Sequence, residues 1–118
     1  MKILIIEDEK AIARALELKL THAGYDISLA QDGEEGLTLL KDKDIALVIL
    51  DLVMPNMDGF TFLERMKEAG KDAPVFVLSN LSQKEDEDRV KEQGAKAFYV
   101  KSNTQLNDII THIKKALS

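Results

Sequence analysis

The chain has 118 residues, 45% apolar and 31% charged, with 16 Lys and Arg against 21 Asp and Glu for a net charge of −5. That describes one globular domain with an ordinary core, and an acidic balance that argues against electrostatic nucleic-acid binding while leaving room for a local basic patch. The absence of cysteine excludes a disulfide framework, a thiolate zinc site and a cysteine nucleophile, and no apolar run is long enough for a bilayer span or a signal-peptide core, so the expectation is a soluble, cytoplasmic domain filling residues 1–118.

Lys2–Ile6 is a short continuous apolar run, the pattern of a strand covered on both faces. Ile12, Leu16, Leu20 and Ala23 then form a helical stripe, with Gly24 as its C-cap. Tyr25–Ala30 alternates, placing Ile27 and Leu29 on one face of a strand near an edge. Leu37 and Leu40 mark a short second helix, and Ile45–Leu50 is a second buried-strand run. Phe60, Leu63 and Met66/Lys67 mark a third helix with Gly70 behind it, followed by an apolar strand at Val75–Leu78. Lys84–Gln93 predicts a fourth helix with Val90 as its one large apolar residue. So thinly anchored a helix belongs to the low-stability end of a domain, which suits a switching element. Its run Lys84–Arg89 reads as a solvated face rather than a binding patch. Ala97–Val100 is the last strand, and Leu106, Ile109, Ile110, Ile113 and Leu117 form the strongest stripe. Five βα units predict an α/β domain: a five-stranded parallel sheet, doubly wound, with right-handed crossovers.

Ligands of such sheets sit beyond the carboxyl ends of the strands. The first strand ends in Glu7-Asp8-Glu9, and no glycine-rich phosphate loop occurs anywhere. The third ends in Asp51, the fourth in Ser79 and the fifth in Lys101. Crowded carboxylates raise one another's pKa unless a cation is present, and a hard divalent ion with oxygen ligands resolves the conflict. Asp51 can then act as a nucleophile, with Ser79 and Lys101 holding a transferred phosphoryl group. Each residue alone has a plainer reading: Glu7 and Asp8 favour a helix N-terminus, Asp51 opens a turn, Ser79 caps, and Lys101 is solvated. His22 and His112 have no partner motif and read as surface residues. The segment after Asp51 is not a calcium loop, because Val53 and Pro55 stand where oxygen side chains are needed.

At these strand ends the chain resembles the receiver domains of two-component response regulators. The resemblance runs from Ile3-Leu4-Ile5-Ile6-Glu7-Asp8-Glu9 to the last helix and is densest at Asp51-Leu52-Val53-Met54-Pro55-Asn56-Met57-Asp58-Gly59. It implies a flavodoxin-like strand order of 2-1-3-4-5 and a phosphorylation-dependent switch, not an enzyme with a separate substrate. It implies Asp51 as the phosphoacceptor and a Mg²⁺ site, open to Mn²⁺, formed by Asp8 directly, Glu7 through water, Asp51, and the backbone carbonyl of Val53. Ser79 and Lys101 would contact the phosphoryl oxygens, and Phe98, with Ser79, would change conformation on activation. The implied partners are a sensor histidine kinase or histidine phosphotransfer protein as donor and a downstream protein reached in trans, with no membrane and no direct nucleic-acid contact.

Five positions bear on how far the family pattern carries over. Ser102 follows Lys101 where proline is usual, and a cis bond before serine costs about 3–4 kcal/mol, leaving a trans loop or a strained cis one. Asn80 stands where a small residue is usual. Phe98 lacks the hydroxyl of a tyrosine. Val53 and Leu81, two positions after Asp51 and Ser79, cannot orient an attacking water, which predicts a long-lived aspartyl phosphate. Two other readings remain: a Mg²⁺-dependent phosphatase or phosphotransferase with an aspartyl nucleophile, and a degenerate receiver that only docks. Against the phosphatase, Val53 occupies the place of its second aspartate and no cap segment encloses a substrate.

Overall fold

The computed structural model describes residues 1–118. The elements run β1 (Lys2–Ile6), α1 (Lys10–His22), β2 (Asp26–Ala30), α2 (Gly33–Leu39), β3 (Ile45–Leu50), α3 (Gly59–Glu68), β4 (Val75–Ser79), α4 (Lys84–Glu92), β5 (Ala97–Val100) and α5 (Leu106–Leu117), with a 3-10 turn at Lys101–Asn103. The sheet is parallel in the order β2-β1-β3-β4-β5, as the resemblance implies.

Alternation along each strand builds two cores. Ile3 and Ile5 join Leu47, Ile49, Phe76 and Leu78 beneath Leu16 and Leu20 of α1 and Ile109, Ile110 and Ile113 of α5. Leu4 and Ile6 join Val48, Leu50, Val75 and Val77 on the other face, under Leu40, Phe62, Leu63, Met66 and Val90. Coverage on both faces is why these strands read as unbroken apolar runs. At about 1.5–3 kcal/mol per buried aliphatic side chain, the three isoleucines anchor α5 far more firmly than Val90 alone anchors α4.

The helices start and stop where side-chain chemistry permits. The Asp32 carboxylate accepts from Glu35 N–H at 2.9 Å to cap α2, and Asp58 accepts from Thr61 N–H at 2.8 Å to cap α3. Gly24 follows α1 at φ +102°, a left-handed conformation that suits glycine.

Two expectations need adjustment. The second strand begins at Asp26, and Leu29 is exposed although Ile27, on the same face, is half-buried. Leu29 lies towards the open end of an edge strand, beside the small side chains of Ala11 and Ala13, which cannot cover it. Of the two forms left open at Lys101–Ser102, the peptide is trans.

Candidate functional site

Because all five strands run the same way, their carboxyl ends share one edge, and the order β1-β3-β4-β5 puts Glu7, Asp51, Ser79 and Lys101 along it. The ladder continues one residue past the strands: Asp51 N–H donates to Ile6 O and Glu7 N–H to Ala30 O, both at 3.0 Å. Those bonds carry Glu7 and Asp51 into the interior, where they are buried together with Ser79.

Carboxylate oxygens of Glu7, Asp8 and Asp51 all lie within 4.8 Å of one another. Glu7 and Asp51 are buried, and Asp8 is exposed. The Lys101 side chain is 7% exposed, and its ammonium sits 2.9 Å from Glu7 Oε1, 3.3 Å from Asp51 Oδ2 and 3.5 Å from Glu9 Oε2. Backbone N–H groups add to the neutralisation: Glu9 N–H donates to Glu7 Oε2 at 3.0 Å and Val53 N–H to Asp51 Oδ1 at 3.3 Å.

Burial pushes the Glu7 carboxyl up to about 7, against the opposing pull of Lys101 and Glu9 N–H. Asp51 is raised for the same reason, less the effect of Lys101. Burial works against the Lys101 charge, but the hydrogen bond to Glu7 and the charges of Asp51, Glu7 and Glu9 outweigh it and raise its pKa. One ammonium therefore leaves buried carboxylates under-compensated. An all-oxygen donor set with this deficit fits a hard divalent cation and not a soft one.

Of the remaining expected residues, Ser79 and Phe98 make no hydrogen bond to the cluster, and Val53 reaches it only through its backbone N–H. Ser79 Oγ accepts from Leu81 N–H at 3.1 Å. Phe98 is half-buried in β5, packed against the α2–α3–α4 core. The Val53 side chain is 57% exposed. Both histidines lie on the surface, His112 at 2.7 Å from the Tyr99 hydroxyl. Glu9, which the acidic run Glu7-Asp8-Glu9 does not single out, is the third carboxylate on Lys101.

Strand order, a doubly wound sheet and an acid–lysine edge define a flavodoxin-like α/β domain with an acidic cluster that fits a hard cation. The family model for the response regulator receiver domain matches residues 3–114, and the chain belongs to that family. It is 36% identical to a probable transcriptional regulator, ycf27, of Porphyridium aerugineum, over 99% of this chain and 51% of that protein. Among solved structures, a CheY-like receiver domain protein from Methanospirillum hungatei superposes with a TM-score of 0.90 at 25% identity, covering 98% of this chain and 92% of that one. The response regulator TrrA from Thermotoga maritima, solved in complex with Mg²⁺-BeF, gives 0.84 at 29% identity, covering 98% and 97%. The chain spans about half the length of the curated relatives it matches. No helix is long and apolar enough to cross a membrane.

Proposed function

We propose that this receiver domain is a phosphorylation-dependent switch whose phosphoacceptor is Asp51, supplied by the phosphohistidine of a sensor histidine kinase or histidine phosphotransfer protein. The observation that carries the reading is Asp51 itself: a buried carboxylate 3.3 Å from a buried lysine, with two further carboxylates in reach of a shared cation. An Asp51 oxygen attacks phosphorus in line, the P–N bond breaks with its electron pair going to the ring nitrogen, and the imidazole leaves neutral, keeping the proton already on its other nitrogen. Asp8, Glu7 through water, Asp51 and the Val53 carbonyl are the groups that would hold Mg²⁺, with Mn²⁺ as a substitute. When bound, the ion neutralises charge on the transferring phosphoryl oxygens.

The acyl phosphate carries nearly two negative charges at this edge where the ionised Asp51 carboxylate carried one. Lys101 turns from Asp51 to the new phosphoryl oxygens, and Ser79 exchanges the Leu81 N–H for a bond to them. Rearrangement of Ser79 and Phe98 then biases the surface of α4, β5 and α5 towards a downstream partner. The domain transforms no separate substrate. A cytoplasmic location matches a phosphorelay. The net charge of −5 favours output through protein contact over direct nucleic-acid binding by these residues.

Incubation with Mg²⁺ and acetyl phosphate, followed by intact mass, tests this on the native chain and on Asp51→Asn. One phosphoryl group should appear on the native chain only. None under excess donor and none from a kinase would leave a docking module, and turnover of a general phosphate ester would favour a phosphatase.

A further inference from the structure

With Val90 as its one buried side chain, α4 needs other means of attachment. Two residues one turn apart provide them, and both engage Phe60 near the start of α3. The Arg89 guanidinium lies 4.1 Å over the centre of the Phe60 ring, and Gln93 Nε2 donates to Phe60 O at 3.1 Å. Glu85 and Asp86 sit a turn away from Arg89, yet it forms no ion pair with them. The second amide atom, Gln93 Oε1, is buried without a hydrogen-bond partner.

Gly59, the residue before Phe60, packs on the segment that follows the phosphoacceptor. Gly59 N–H donates to Leu52 O at 2.9 Å, and a Cβ on Gly59 would stand 2.6 Å from Asp51 O. The first turn of α3 is therefore seated directly on the peptide that follows Asp51, against backbone atoms of Asp51 and Leu52 as well as the Leu52 side chain.

We propose that Arg89 and Gln93 form a clamp that holds α4 on Phe60, and that through Gly59 this clamp responds to the state of Asp51. The inference rests on Asp51 being phosphorylated. A phosphoryl group moves the segment following Asp51, and Gly59 passes the displacement to Phe60. A ring contact and one hydrogen bond are both lost within an ångström or so of misalignment. Release also lets Gln93 Oε1 reach water, so the clamped state carries an unsatisfied acceptor that the open state does not. This route from Asp51 to α4 uses neither Ser79 nor Phe98.

The test uses Arg89→Ala, which alters one exposed side chain, and Gln93→Leu, which keeps volume without the amide. Hydrogen exchange of α4 amides reports the clamp, and calorimetric titration with beryllium fluoride in Mg²⁺, a phosphoryl mimic, reports the site. Each variant should speed α4 exchange about tenfold. Coupling is reciprocal, so each should also tighten beryllium fluoride binding, by about threefold to tenfold. Native exchange rates in both variants, or faster exchange with unchanged affinity, would overturn the clamp while leaving the phosphoacceptor reading intact. No binding to the native chain, and none in excess of Asp51→Asn, would remove that reading and the clamp with it.

Discussion

Lys101 Nζ lies 2.9 Å from Glu7 Oε1, and both side chains are all but closed to solvent. The pair joins the first strand end to the last and is the main neutralising contact of the acidic edge. A buried ion pair is weak evidence for net stability, but removing one partner is costly because the other charge stays behind.

Lys101→Met should therefore destabilise the metal-free domain at pH 8 by about 1–3 kcal/mol, below the usual cost of an orphaned buried charge because Glu7 can take up a proton. The melting temperature should fall by roughly 4 °C per kcal/mol. Lowering the pH to 6 or adding Mg²⁺ should restore most of the loss. Thermal melts at both pH values check this, and equal melting of the two chains at pH 8 would contradict it.

The pH dependence of the native chain follows from the same carboxyl. Glu7 ionises near 4.5 when unfolded and near 7 when folded. Between those values the folded chain holds more protons, so its contribution to stability is complete below about 4.5 and is lost as the pH rises through about 7. A cation at this edge requires the ionised form. Apparent Mg²⁺ affinity should rise roughly tenfold from pH 6 to pH 8, with protons released on binding. Calorimetric titration in two buffers of different ionisation enthalpy measures both quantities.

Much of this was legible along the chain, for physical reasons. Runs such as Ile3–Ile6 announce strands covered on both faces, and the ends of the first, third, fourth and fifth strands name Glu7, Asp51, Ser79 and Lys101 without further help. Contacts across 94 residues, such as Lys101 with Glu7, depend on strand order, which periodicity does not encode and which only the family resemblance supplied. Arg89 is the instructive case. Within Lys84–Arg89 it looks like one more solvated charge, and nothing in that run points to a phenylalanine on α3. The exposure of Leu29 was hidden as well, because alternation identifies a face but not whether the neighbouring helix reaches it.

Val53 and Leu81 bear on how long the switch stays on. The Val53 side chain stands exposed beside Asp51, and Leu81 N–H is engaged by Ser79 Oγ. Neither side chain can hydrogen-bond an incoming water, so the aspartyl phosphate should decay slowly. Val53→Asn, which supplies a polar group at this position, should shorten the lifetime by about threefold to tenfold through better positioning of the water. Intact mass against time in Mg²⁺ buffer follows the decay, and rapid loss from the native chain would defeat the expectation.

Gly59→Ala sets two effects against each other. Alanine in a helix gains about 0.5–1 kcal/mol over glycine, and less at a first-turn position. Its Cβ would lie 2.6 Å from Asp51 O and 2.8 Å from Leu52 Cα, both backbone atoms that cannot rotate away. Overpacking of that kind costs about 1–3 kcal/mol, so the clash prevails and displaces the peptide next to Asp51. Gly36 is the matched control: there the nearest atom, also at 2.6 Å, is the terminal methyl of Ile6, which has a side-chain torsion to yield with. Gly36→Ala should melt close to the native chain and bind Mg²⁺ normally. Gly59→Ala should melt several degrees lower and bind Mg²⁺ more weakly, and a Gly59→Ala chain as stable as Gly36→Ala would show that the seat of α3 on Asp51 is softer than its distances imply.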